Sequence, residues 1–307
     1  MTEGLISRRM VWAGGAAALA ATSSGEAATR GAVQLHVGNY GLQALGVDEA
    51  LARIREIGYD GAELCLMAGW PSEPGKLDAA SRRRIREQPL PVPTLIENFN
   101  LLVDDAGHAR TLERIRAAAR LAREITPARR PLPMLQSVLG GKPEEWEAVK
   151  EKMAARLADW ALVARESGLR LAVKSHIGSA SNTPEKLLWL LDQVKAGATL
   201  SAIYDYGHFQ LLGLALTATL DTLLPRTSFL TVKDGQMVNG SPRFLLPGEG
   251  TIDYGEYFSY LKKRRYKGWM LVEISRQLQT QPGYDGVAAA RRSYEFLAGR
   301  LRSAGLR

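Results

Sequence analysis

Alternation limits most strongly what this chain can fold into. Beyond residue 28, apolar runs fall at 33–37, 62–66, 92–97, 132–137, 171–175, 200–205, 229–233 and 270–274. Between and after them, apolar residues recur at helical spacing over 47–57, 79–87, 106–125, 144–167, 184–195, 215–223, 254–263 and 286–301. A strand buried on both faces reads as a near-continuous apolar run, and parallel strands need a crossover that is usually a helix. Eight such units in order predict a closed parallel (β/α)8 barrel, an architecture that takes about 250 residues. The punctuation agrees. Thr183 stands as a cap with Pro184 at the first helical position, and Gly58, Gly168 and Gly268 follow expected helix ends.

An open doubly wound sheet is the competing fold, and it would carry a glycine-rich phosphate turn behind its first strand. Gly38-Asn-Tyr-Gly-Leu42 lacks that spacing, and Gly248-Glu-Gly250 is too short and falls late. No linker divides the chain. The long stretches 66–78 and 236–252 are expected as loops over the rim of a barrel.

The first 28 residues stand apart. Paired arginines in Ser7-Arg-Arg-Met-Val-Trp12 precede an Ala/Gly-rich run over 13–22 and small residues near 20–28. That pattern resembles a twin-arginine export signal, so residues 1–28 are expected as a signal segment and 29–307 as the barrel domain. The expected location is the periplasm or another extracytoplasmic space. The run falls short of the ~20 apolar residues of a membrane span, so no membrane association is expected after signal removal. The single Cys65 excludes an internal disulfide and reads as a buried, inert thiol.

A net charge of +8 raises nucleic acid as a partner. The basic residues, however, cluster over 82–86, 110–130 and 262–265, interrupted by apolar residues at helical spacing and with no interleaved aromatics. They read as solvated helix faces, and no nucleic-acid partner is expected. Oligomeric state is not written in the chain.

Four late runs end in polar groups: Lys174 and His176, Asp205 and His208, Lys233 and Asp234, and Glu273. The carboxyl ends of barrel strands are where barrel enzymes keep their chemistry.

At Ile57-Gly-Tyr-Asp-Gly-Ala-Glu-Leu64, Asn182-Thr-Pro-Glu185, Tyr204-Asp-Tyr-Gly-His208, Val232-Lys-Asp234, Leu246-Pro-Gly-Glu-Gly-Thr-Ile-Asp253 and Tyr266-Lys-Gly-Trp-Met-Leu-Val-Glu273, the chain resembles the xylose isomerase-like TIM barrels, a superfamily of sugar and sugar-phosphate isomerases and epimerases. The resemblance covers most of the chain beyond residue 28. It implies a divalent cation held by Glu, Asp, His and Glu from four successive late strands, polarising sugar oxygens. The matching positions here read Lys174, Asp205, Thr231 and Glu273. A protonated lysine has no lone pair for a metal and repels a dication. The expectation is therefore that the ammonium of Lys174, kept charged by Asp205 and Glu273, sits where the cation would be, and that no cofactor is needed. Three alternatives stay open. A divalent metal ion could use Asp205, Glu273, His176 and His208 in a shifted geometry; Lys174 could form a Schiff base with a keto-sugar; or the site could be decayed in a non-catalytic carbohydrate-binding barrel.

Isomerisation, epimerisation and elimination next to a carbonyl share the removal of a proton from carbon, with charge developing on oxygen. For such a step Glu273 is the expected base, Lys174 the oxyanion stabiliser and Asp205 the group that orients Lys174. His176 and His208 are expected to shuttle protons or contact hydroxyls. An exported enzyme would meet a non-phosphorylated carbohydrate, the expected substrate. Further substrate contacts are expected from Lys233, Glu97, Glu63, Trp70 and Tyr206. For Lys233 the competing reading is a pair with Asp234 or rim loops; for Glu63 and Glu97, a salt bridge; for Trp70, Tyr204 and Tyr206, core or wall. Glu249, between two glycines, reads as a turn residue.

Overall fold

The computed structural model describes Met1 and residues 31–307; the expected export signal lies outside the described residues. Strands β1 (Val33–Gly38), β2 (Gly61–Cys65), β3 (Thr94–Ile96), β4 (Met134–Ser137), β5 (Leu171–Lys174), β6 (Leu200–Asp205), β7 (Thr227–Val232) and, after the hairpin β8 (Asp234–Val238) and β9 (Ser241–Leu245), β10 (Gly268–Val272) follow one another along the chain. All but the hairpin strands form one closed barrel in chain order, with β10 returning to β1. The barrel pairs are parallel, Val33 to Val37 of β1 facing Gly268 to Val272 of β10.

Helices α1 (Val47–Ile57), α2 (Ala79–Glu87), α3 (Asp105–Ile125), α4 (Trp146–Glu166), α5 (Pro184–Val194), α6 (Tyr206–Leu211), α7 (Leu216–Leu223), α8 (Tyr254–Lys263), α9 (Arg276–Gln279) and α10 (Gly286–Ser303) fill the connections. Thr183 caps α5, accepting from the Lys186 N–H, and Gly58 closes α1 in the left-handed region at φ 107°. Gly268 plays no such part. It opens β10, and the left-handed residue behind α8 is Arg265 at φ 53°.

Two strands start later than the apolar pattern suggests, β3 at Thr94 and β4 at Met134. Pro93 and Pro133 directly precede them, and proline has no N–H to give a ladder. Within 236–252, expected as loop, the structure has the β8–β9 hairpin, turning at Asn239 (φ 50°) and Gly240 (φ 76°). Two consecutive left-handed residues are what a tight hairpin turn requires, and Asn-Gly is its usual sequence.

Apolar burial forms two layers. The larger lies between strands and helices; a smaller cluster of Met134, Ala172, Ile203, Phe229 and Leu271 fills the barrel interior. The barrel is thus plugged below its carboxyl-terminal mouth. Cys65 is buried and free, in keeping with an inert thiol.

Candidate active site

Lys174 is the last residue of β5 and Asp205 the last of β6, while Lys233 and Glu273 directly follow β7 and β10. Val272 pairs with Val232, so Glu273 and Lys233 leave the sheet side by side; Asp205 pairs with Thr231 on the other flank of β7. Lys174 Nζ donates to Asp205 Oδ2 at 3.2 Å and also to Glu273 Oε2. Lys233 Nζ donates to the same Asp205 Oδ2 at 2.6 Å and to Glu273 Oε1 at 2.8 Å. The four groups close an alternating ring of two ammoniums and two carboxylates. Three of the side chains are 4% exposed or less, and Glu273 is 16% exposed.

Burial opposes each charge, and the opposite charges outweigh it where a shift is resolved. Glu273 and Asp205 hold the Lys174 ammonium above its usual range. The two lysines hold the Glu273 carboxyl far below the usual carboxylate range. A lysine held protonated is a poor nucleophile for a carbonyl, which weighs against a Schiff base at Lys174.

His208 is fully buried, its Nε2 3.5 Å from Asp205 Oδ2 but, among the described residues, without a hydrogen bond on either nitrogen. Its ring lies 4.2 Å from that of His176. Burial, then the nearby Lys233, keeps both imidazoles neutral, His176 at about 4 and His208 well below its usual value. His176 Nδ1 accepts from the Gly178 N–H at 3.1 Å, which leaves the proton of a neutral ring on Nε2. Phe244, from β9, covers this side. Its ring is 5.3 Å from Lys233 Nζ and 5.3 Å from the His208 ring. Gln277 holds the hairpin there, accepting from the Phe244 N–H at 2.7 Å and donating to the Pro242 carbonyl at 3.1 Å.

A cavity of about 260 Å³ opens beside the ring, lined among others by Tyr40, Glu97, Gln136, Lys174, His176 and Glu273. Lys233 and Asp205 do not line it. Gly140 forms part of the wall at φ 80°, where a Cβ would lie 2.1 Å from Asn100 Oδ1.

The expected substrate contacts divide. Glu97 does line the cavity, ion-paired with Arg114; burial, against the pull of Arg114, pushes its carboxyl up to about 7. Glu63 lies inside the barrel instead, accepting from Thr94 Oγ1 at 2.9 Å and from Gln136 Nε2, and burial raises it to about 7. Trp70 stands behind the cavity. It stacks on Tyr40 at 5.5 Å and donates to the Tyr40 carbonyl at 3.1 Å, so Tyr40 presents the aromatic face. Tyr206 packs parallel to the buried Tyr204 at 6.4 Å, with its hydroxyl on the Leu214 carbonyl, as wall. Lys233 is neither a cavity residue nor a partner of Asp234; its ammonium goes to Asp205 and Glu273. Asp234 instead accepts from the N–H groups of Gly235, Gly248 and Ile252 and ties down the following loop. Glu249 closes a turn with Leu246.

The residue that sequence reasoning underrated is Lys233. Its signal was period two: Lys233 follows the metal-matching Thr231 by two positions and shares its face. Tyr40, Gln136 and Phe244 carried no comparable signal.

Of the alternative metal set, Asp205, His208 and Glu273 each offer one ligand atom within 4.8 Å of the others, and His176 is outside the group. Asp205 Oδ1 and both His208 nitrogens have no partner among the described residues. Both carboxylates, however, already take two ammoniums. At ~4 Å and an effective dielectric of about 20, a dication would be repelled by each ammonium by about 8 kcal/mol, twice the value for unit charges. The two carboxylates attract it by about as much, so with both lysines charged the ring offers no net Coulomb gain to offset the ion's dehydration, and the donor set as it stands does not fit a divalent ion.

A family model described as xylose isomerase-like TIM barrel matches residues 51–299. An inosose dehydratase of Bacillus anthracis is 27% identical over 173 residues, which are 51% of this chain and 56% of that protein. The match thus spans about half the length of the curated relative. Among solved structures, the IOLI protein with a bound zinc atom superposes with a TM-score of 0.72 at 16% identity, over 88% of this chain and 99% of that one. An L-ribulose 3-epimerase does so with a TM-score of 0.69 at 17% identity, over 89% and 95%. At such identities the structural likeness speaks for the fold alone.

Proposed function

The chain belongs to the xylose isomerase-like TIM barrel family, and from that premise we propose that it removes a proton from the carbon next to the carbonyl of a non-phosphorylated carbohydrate. The observation that carries this reading is the contact between Lys174 and Glu273 on one wall of one cavity. A base and a fixed positive charge side by side are what such a step needs.

In this reading the substrate carbonyl oxygen accepts from Lys174 Nζ, displacing the bond from Lys174 to Glu273. Glu273, left with Lys233 as its one ammonium partner, regains proton affinity as the substrate arrives. It takes the proton from the neighbouring carbon, and Lys174 meets the charge that develops on oxygen. Asp205 keeps Lys174 in place, and the neutral His176 offers its Nε2–H to a hydroxyl. Among the described residues Lys174 is the one cationic side chain lining the cavity, and it is already matched by carboxylates, which favours an uncharged substrate over a phosphate. A volume of about 260 Å³ suits a single sugar or cyclitol ring, being just under the ~300 Å³ at which pockets for drug-sized ligands begin.

Proton return gives an epimer or isomer; loss of a neighbouring hydroxyl gives a dehydrated product. Elimination is favoured by Glu97, a cavity carboxyl raised to about 7 and so able to protonate a leaving hydroxide near neutral pH, and by the match to an inosose dehydratase. We further propose that the chain is exported, tested by finding the cell-expressed protein in the periplasmic fraction.

The test is exchange of carbon-bound hydrogen in D2O, followed by NMR on L-ribulose and inosose. Exchange is expected with the wild type and its loss with Glu273→Gln, while the product spectrum separates epimer from dehydrated ketone. Saturable binding of these sugars without exchange would instead make the chain a carbohydrate-binding barrel.

A further inference from the structure

We infer that Lys174 and Lys233 act together as a built-in substitute for a divalent cation, and that the site holds no metal because its positive charge is already part of the chain. The charges match: two ammoniums carry what one dication would, against the same two carboxylates, Asp205 and Glu273. Each carboxylate takes both lysines. Asp205 does so through Oδ2 alone, at 3.2 and 2.6 Å, and Glu273 through one oxygen for each lysine. One cation bridging two carboxylates would link them in the same sense.

The two lysines differ in access. Lys174 lines the cavity, while Lys233 is 1% exposed and roofed by the Phe244 ring at 5.3 Å. Lys174 is therefore the half of the substitute that meets substrate. Lys233 is the half that locks the carboxylates, a positioning residue that neither solvent nor substrate displaces.

The ring also conceals a ligand set. Asp205, His208 and Glu273 present ligand atoms within 4.8 Å of one another, and His208 Nε2 has no hydrogen-bond partner among the described residues. Three protein ligands with a further position open is the pattern of catalytic metal sites. Removing both ammoniums leaves two uncompensated carboxylates beside His208, and so a net attraction for a dication.

The inference rests on the reading of Lys174 as the positive group of the site, but it is measured as metal uptake. It can therefore fail with proton exchange intact, and proton exchange can fail while it holds. Wild type, Lys174→Met, Lys233→Met and the double variant are incubated with Mn2+, or separately Zn2+, gel-filtered and assayed for metal, with folding followed by circular dichroism. Wild type is expected to retain none, and the double variant about one ion per chain, the simple stoichiometry of a three-ligand site. A wild type that keeps one ion per chain through gel filtration overturns the inference, whatever the variants do. So does a folded double variant that retains none. Should the double variant fold only with metal, its Mn2+-dependent melting transition reports the same uptake, and the single variants are expected to hold Mn2+ more weakly than it does.

Discussion

Lys233 Nζ lies 2.6 Å from Asp205 Oδ2, with each side chain only 1% exposed. This pair is the inner half of the charged ring, and neither residue touches the cavity. The outer half, Lys174 and Glu273, is what a substrate meets.

Breaking the inner pair should be costly. Lys233→Met fills similar volume but leaves Asp205 buried with one ammonium fewer, and loss of one partner of a buried pair costs about 3–5 kcal/mol. Urea unfolding is expected to show a loss of that order, against a change within about 0.5 kcal/mol for the exposed Lys263→Met.

Glu63 makes stability depend on pH. Burial raises its carboxyl from 4.5 to about 7, against the donors Gln136 and Thr94. The folded state thus holds a proton that the unfolded chain releases first. The resulting stabilisation is complete below about pH 4.5 and is lost as pH rises through 7. Between pH 5 and 8 the Tm of the wild type should fall relative to Glu63→Gln, by the equivalent of about 3 kcal/mol. Parallel melting curves across that range would sink the account.

Lys174 should resist trapping. Held protonated by Glu273 and Asp205, it lacks the free amine that imine formation needs. Cyanoborohydride with a keto-sugar is expected to leave the protein mass unchanged, and an adduct mapped to Lys174 would restore the Schiff-base alternative.

Glu97 sets the expected pH–rate profile of any dehydration. A general acid with a pKa of about 7 is protonated below that pH, so the rate should fall as pH rises through it. Glu97→Gln should flatten that limb and lower the rate about 10²- to 10⁴-fold. Epimerisation, which has no leaving hydroxide, should keep its profile in the variant.

Local chemistry along the chain was enough to place strands, helices and the polar groups at strand ends. An apolar run or a Thr-Pro cap acts within a few residues, so Lys174, Asp205 and Glu273 could be set at one barrel mouth from their order alone. Partnership could not be read that way. Strands buried on both faces lack the polar alternation that would fix their register, and β7 slips by one residue against β6 at Ala202 and Ile203. That register decides which side chains from β7 meet Asp205, and so makes Lys233 a partner of both carboxylates rather than of its neighbour Asp234. Trp70 and Tyr206 were equally legible as aromatics near strand ends, yet the loop carrying Trp70 turns it behind Tyr40, and Tyr206, the first residue of α6, packs onto Tyr204. The bond from Lys174 to Glu273 joins residues 99 apart in the chain. It exists because the barrel closes, and closure is a property of all eight strands together.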